Sequence, residues 1–109
     1  MNAWETYNPD FHYEKMQPAI KSAWLGHRLF AYDLVANVKP RIVVELGAYS
    51  GTSFFSMCQA VKDLGLKSHL YAVDTWKGDG HTGPYPEKIY SNFRKVKDML
   101  FKGMFVNTI

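Results

Sequence analysis

Apolar positions along the chain fall into stretches of helical spacing and short runs of strand type, in alternation. Pro18 suits the first turn of a helix, after which Ile20, Ala23, Trp24, His27, Ala31, Leu34 and Val38 recur at helical spacing. That helix stops before Pro40, because the residue ahead of a proline disfavours α geometry. His27 lies in the stripe and reads as a packed, hydrogen-bonded histidine rather than a ligand or base. Ile42 to Leu46 is a near-continuous β-branched run, the pattern of a parallel strand buried on both faces. Thr52 to Leu64 is helical, with Phe54, Met57, Cys58, Val61 and Leu64 on one face and Gly65 as its C-terminal cap. Leu70 to Val73 is a second buried strand. Pro86 opens a further helix, with Glu87 in the first turn where a carboxylate suits the helix dipole and Ile89, Phe93, Val96 and Leu100 facing inward. Past Gly103 the tail MFVNTI has the pattern of a third strand. Ahead of all this, residues 1–17 are aromatic-rich but aperiodic, with a turn at Asn8, Pro9 and Asp10; Tyr7, Phe11 and Tyr13 are expected to drape over the domain.

Strand, helix and strand in about 34 residues have the length of one βαβ unit. A right-handed crossover makes the two strands parallel neighbours. The predicted fold is therefore α/β, with a partial parallel sheet of two to three strands and flanking helices. Residues 74–86 (DTWKGDGHTGPYP) form a Gly- and Pro-rich loop, long for a simple connection and suspect as functional.

A length of 109 residues allows one domain, and 47% hydrophobic with 21% charged residues is globular composition rather than disorder. The net charge of +3 is too small to argue for nucleic acid, and the cluster Arg94, Lys95, Lys97 and Lys102 reads as a solvated helix face. The single cysteine, Cys58, rules out an internal disulfide, suits a reducing compartment and falls on an apolar stripe, where it acts as a small hydrophobe. No apolar stretch approaches the ~18 residues of a membrane span, and the N-terminus lacks the basic start and apolar middle of a secretory signal. These features predict a cytoplasmic protein with no membrane and no nucleic-acid partner.

The chemistry concentrates at RIVVELGAYSG, residues 41–51, where a strand hands over to a helix N-terminus. Open α/β folds bind nucleotide cofactors at such crossings. A phosphate loop of the NTPase type needs a Lys before its Ser or Thr, and here Gly51 runs straight into Thr52. The dinucleotide fingerprint wants its second glycine where Tyr49 stands, which weakens an NAD or FAD reading and leaves it open. S-adenosylmethionine, which has no phosphates, tolerates the loop better. Its carboxylate can accept backbone N–H bonds at the turn and helix start, and its ammonium can sit near Glu45. Twenty-seven residues after Gly47, Asp74 ends the second strand, placed to accept from both ribose hydroxyls, with Thr75 and Trp76 flanking the adenine. The plainer alternative gives Gly47 and Gly51 only a tight junction and makes Asp74 a turn cap. Two strand ends that independently carry the expected residue types favour the cofactor. Asp79 and His81 match no specific metal spacing with Asp74, so no metal is predicted; His81 is of the type that serves as a general base, and no catalytic residue is assigned.

VVELGAYSGTS followed by YAVDTWKGD resembles motifs I and II of the class I S-adenosylmethionine-dependent methyltransferases, in particular bacterial members reading VELG-x-x-x-GTS and VDTW-x-GD. The likeness spans about residues 18–90, and Tyr49 stands where the wider superfamily more commonly has glycine. It implies a Rossmann-like domain of which residues 41–109 form the N-terminal half, with residues 1–40 as a segment and helix packing on it. It also implies cofactor binding by Glu45, Gly47, Ala48, Tyr49, Ser50, Gly51, Asp74, Thr75 and Trp76, and transfer of a methyl group to a small molecule or sugar. Relatives of this class have seven strands, so the chain is expected to be truncated, of doubtful activity alone, and prone to self-associate through an exposed sheet edge. The alternatives are an NAD(P)-binding oxidoreductase fragment and a non-catalytic nucleotide-binding or interaction module.

Overall fold

The structure is a computed structural model that describes residues 3–16, 26–80 and 83–109, with Asp79 described in its backbone only. Its elements run α1 (Tyr13–Met16), α2 (Arg28–Val38), β1 (Ile42–Leu46), α3 (Thr52–Leu64), β2 (His69–Val73), β3 (Gly78–Asp79), β4 (Gly83–Pro84), α4 (Lys88–Leu100) and β5 (Phe105–Thr108). β1, β2 and β5 form a parallel sheet in that order, with Ile42 opposite His69 and His69 opposite Phe105. β3 and β4 pair as a small antiparallel hairpin inside the loop after β2. The mixed α/β fold with a three-stranded parallel sheet agrees with the sequence prediction.

Both crossovers step in one direction across the sheet, so right-handed connections put α3 and α4 on the same face. Burial alternates accordingly. Leu70 and Ala72 are fully buried and Val106 nearly so, whereas Ile42, Val44, Leu46 and Phe105 are 53–78% exposed on the opposite face. The expectation that β1 is buried on both faces is thus corrected: β1 is an edge strand covered on one face only, and a near-continuous apolar run states what a strand could bury rather than what covers it.

α3 lies at the centre of the core. Phe54, Phe55, Cys58 and Ala60 are fully buried, as is Ser56, because the sheet, α2 and α4 enclose the helix on several sides. Phe55 packs on Phe93 of α4 with ring centroids 4.5 Å apart and stacks on Phe101 at 5.6 Å. Burial, and then the charge of Glu45, push the Cys58 thiol well above its ordinary pKa, which suits a packed and unreactive group. Gly65 ends α3 in the left-handed conformation, and Leu66 N–H donates to Val61 O at 2.9 Å, closing the helix as expected.

The other elements shift in detail. Of the predicted first helix, Pro18, Ile20, Ala23 and Trp24 lie outside the described residues. His27 is exposed at the N-cap of α2 rather than packed in a stripe, and Leu34 and Val38 are exposed as well. The buried face is Ala31, Tyr32, Val35 and Ala36, whose two alanines let α2 approach α3, while Tyr32 donates to Asp63 at 2.8 Å. The N-terminal segment is clipped to α2: Glu5 N–H donates to Asn37 Oδ1 at 2.8 Å and Tyr7 N–H to the buried Asp33 at 3.1 Å. Phe11 and Tyr13 go deeper than draping, since both are buried and the Tyr13 hydroxyl donates to Thr52 O at 3.1 Å. Among the described residues no helix is long and apolar enough to cross a membrane.

Candidate functional site

β1 and β2 end side by side, and Gly47 N–H donates to Val73 O at 2.7 Å, so the two strand ends are locked in step. From Gly47 the chain turns sharply into α3. Gly47 (φ 82°), Tyr49 (φ 49°) and Gly51 (φ 94°) all take left-handed conformations. The two glycines have different surroundings. A Cβ on Gly51 would lie 2.4 Å from Phe55 Cε2 and 2.9 Å from Phe93 Cε2, so Gly51 answers to the aromatic core. A Cβ on Gly47 would meet nothing within 4 Å, which leaves open space above the strand ends. Tyr49 accepts a conformation that costs a non-glycine residue about 1–2 kcal/mol.

Asp74 holds this turn. Its Oδ2 accepts the Tyr49 N–H at 3.0 Å and the Tyr85 hydroxyl at 3.2 Å, and its Oδ1 accepts the Trp76 N–H at 2.9 Å. Trp76 is itself left-handed (φ 63°), so one carboxylate secures two residues in sparsely populated backbone conformations. Thr75 is exposed; its hydroxyl accepts Lys77 N–H at 3.2 Å and shapes the loop. The Trp76 indole packs against α4, 4.7 Å from Tyr90 and 4.8 Å from Phe93 between centroids, and its Nε1 donates to Ile109 O at 3.3 Å. Trp76 therefore braces the loop from behind instead of lying open beside Thr75.

Glu45 points to the helix-covered side of the sheet. Its Oε2 accepts the Ser53 hydroxyl at 2.6 Å, while its Oε1 is buried with no partner. Burial raises its pKa, and the Ser53 bond offsets part of the rise. Ser50 is likewise buried, with an unpartnered Oγ. Ala48 is buried beneath the turn. Orphaned polar atoms under a glycine turn with free space above it are what a polar ligand's site requires.

A cleft of about 390 Å³ opens between the two loops, lined by Gly47, Val73, Asp74, Thr75, Gly78 and Tyr85. A larger hollow of about 490 Å³, lined in part by Lys39, Arg41, Lys67 and His69, lies at the opposite ends of the strands. Ligands of open α/β sheets bind at the C-terminal ends of the strands, which favours the smaller cleft. The structure thus brings Gly47, Tyr49, Asp74 and Thr75 together, with Glu45, Ala48, Ser50 and Gly51 beneath them and Trp76 behind. Sequence reasoning missed Tyr85 and Ser53. Tyr85 lies between two prolines in the suspect loop, a placement that fixes its backbone and was the available signal. His81 and the Asp79 side chain lie outside the described residues; among those residues no three His, Cys, Asp or Glu converge.

Comparison with known proteins adds three findings. The family described as Methyltransferase domain matches residues 44–104, more than half of the chain. A stretch of 69 residues, 63% of the chain, is 51% identical to the uncharacterized protein y4gI of Sinorhizobium fredii (strain NBRC 101917 / NGR234), of which it spans 8%. The crystal structure of the SAH-bound Podospora anserina methyltransferase PaMTH1 is similar in fold, with a TM-score of 0.63 at 19% identity over 94% of this chain and 42% of that one.

Proposed function

The chain belongs to the methyltransferase-domain family, and on that premise we propose that it binds S-adenosylmethionine in the cleft between the Gly47–Gly51 turn and Asp74, and serves methyl transfer to a small molecule or sugar in the cytoplasm. One observation carries the reading: a glycine with open space above it faces an acidic side chain across the ends of two parallel strands. The likeness to an SAH-bound methyltransferase supports it. S-adenosylmethionine supplies an electrophilic methyl group on its sulfonium, and the chain's own residues have to hold it in near-attack geometry.

In this proposal Asp74 accepts from the ribose, and Thr75 and Trp76 form and brace the loop beside the base. The N–H groups of Gly47, Tyr49 and Gly51 are already used within the protein. The ligand's carboxylate is left the first turn of α3, whose N–H groups have no helical partner. The unpartnered Glu45 Oε1 is an acceptor suited to the ligand's ammonium, and the Ser50 hydroxyl is a second polar contact. The Glu45 carboxylate fits the ammonium of the amino-acid end better than a diphosphate.

Isothermal titration with S-adenosylhomocysteine and with NAD separates the two cofactor classes. Binding of S-adenosylhomocysteine is expected, and binding of NAD alone would refute the proposal. Asp74→Asn should weaken S-adenosylhomocysteine about 10- to 100-fold, the loss for a charge-assisted hydrogen bond. An unchanged affinity would remove Asp74 from the site.

A further inference from the structure

Asp74 is nearly saturated by its own protein. It accepts from Tyr49 N–H, Trp76 N–H and the Tyr85 hydroxyl, whereas an ionised carboxylate offers about four acceptor positions. One position remains. A ribose with vicinal hydroxyls brings two donors, so one of the three protein donors has to leave.

The two backbone donors are poorly placed to yield. Each belongs to a left-handed residue at a tight turn, Tyr49 at φ 49° and Trp76 at φ 63°, and moving either N–H would rebuild its turn. Trp76 is further fixed by its indole against Tyr90 and Phe93. The Tyr85 hydroxyl differs on each count. It ends a side chain that can swing about its own torsions, its bond is the longest of the three at 3.2 Å, and Tyr85 lines the cleft. Its backbone stays anchored through Tyr85 N–H to Lys77 O at 2.9 Å. The hairpin beneath it is closely packed: a Cβ on Gly78 would lie 2.0 Å from Gly83 O. Any movement is therefore confined to the phenol, which now meets the Tyr49 ring edge to face at 5.0 Å.

Resting on the cofactor reading above, we infer that the Tyr85 phenol and a ribose hydroxyl compete for the same oxygen of Asp74, so that Tyr85 is displaced on binding and tunes affinity for ligands carrying an intact ribose diol. Tyr85 is a positioning residue in this scheme. It holds the carboxylate aimed into the cleft and gives it up to the ligand.

The test is titration of the wild-type chain and Tyr85→Phe with S-adenosylhomocysteine, adenosine and 2′,3′-dideoxyadenosine. Tyr85→Phe keeps the ring and removes the hydroxyl that donates to Asp74. It should bind S-adenosylhomocysteine about fivefold more tightly, the worth of one ordinary hydrogen bond. The affinity ratio of adenosine to 2′,3′-dideoxyadenosine should widen by a similar factor. Equal or weaker binding by the variant would overturn the inference while leaving the cofactor reading intact; failure of both chains to bind S-adenosylhomocysteine would overturn the cofactor reading itself. A second measurement does not depend on how the variant folds. In wild-type protein with labelled tyrosine rings, the Tyr85 resonances should shift on addition of S-adenosylhomocysteine, and resonances that stay put under saturating ligand would overturn the displacement.

Discussion

Replacing each glycine of the Gly47–Gly51 turn by alanine separates backbone cost from packing cost. Both residues are left-handed, at φ 82° and 94°, so an alanine at either position incurs the conformational penalty of about 1–2 kcal/mol. Only at Gly51 does the new methyl collide: it would lie 2.4 Å from Phe55 Cε2 and 2.9 Å from Phe93 Cε2. Those rings cannot retreat easily, because Phe55 is held between Phe93 and Phe101 with all three buried. Overpacking of this kind adds about 1–3 kcal/mol. Gly51→Ala should therefore cost about 3 kcal/mol and Gly47→Ala about 1 kcal/mol. In a domain of this size that is a fall in Tm of roughly 12–24 °C against roughly 4–8 °C. Thermal and urea unfolding followed by far-ultraviolet circular dichroism measures both. In a Phe55→Ala background the Gly51→Ala cost should shrink toward that of Gly47→Ala, as expected for two groups in contact. Equal losses at the two glycines, or no coupling to Phe55, would refute the reasoning.

Two further predictions follow from the same region. Burial raises the Glu45 pKa above its ordinary 4.5, so the folded chain retains a proton that the unfolded chain releases. Stability from this group is complete below that value and is lost as pH rises from it through the folded pKa. Glu45→Gln should remove that segment of the curve of unfolding free energy against pH, and a difference curve between the two proteins that stays flat would contradict it. On the uncovered sheet face, Val44 is 56% exposed on an edge strand. Self-association of a second copy along β1 predicts that Val44→Lys lowers the sedimentation coefficient at high concentration, while stability moves by less than about 0.5 kcal/mol; an unchanged sedimentation profile would argue against that edge.

The parts of the fold legible in the sequence are those fixed by local physics. A glycine at each end of α3, a β-branched run before it and a proline-led helix after the loop each carry their own signal, and each element formed within a residue or two of its prediction. The α2 face was misread because Leu34 and Val38 outrank alanine in hydrophobicity. Ala31 is buried as the spacing predicts, and close approach to α3 adds Ala36 to it in place of Leu34 and Val38, with Tyr32 anchored by Asp63. The exposure of β1 was illegible because apolar composition carries no record of what neighbours a strand. At the candidate site, the turn and Asp74 stood out by spacing. The Ser53 bond to Glu45 and the Tyr85 bond to Asp74 did not, since each joins residues 8 and 11 positions apart through a fold that brings their elements together. The left-handed Trp76 has no sequence signature of its own; Asp74 two residues before it supplies the acceptor that stabilises the conformation.

The last strand reaches the acid through backbone bonds. Ile109 N–H donates to Ala72 O at 2.9 Å, and the main-chain oxygen of Ile109 accepts both Asp74 N–H at 3.2 Å and the Trp76 indole at 3.3 Å. The loop that aims the carboxylate and the strand farthest from the glycine turn are therefore joined through one oxygen, and they are expected to open together. When β5 peels away, two tethers of that loop go with it, and the carboxylate loses both its aim and its hold on the Tyr49 N–H of the glycine turn.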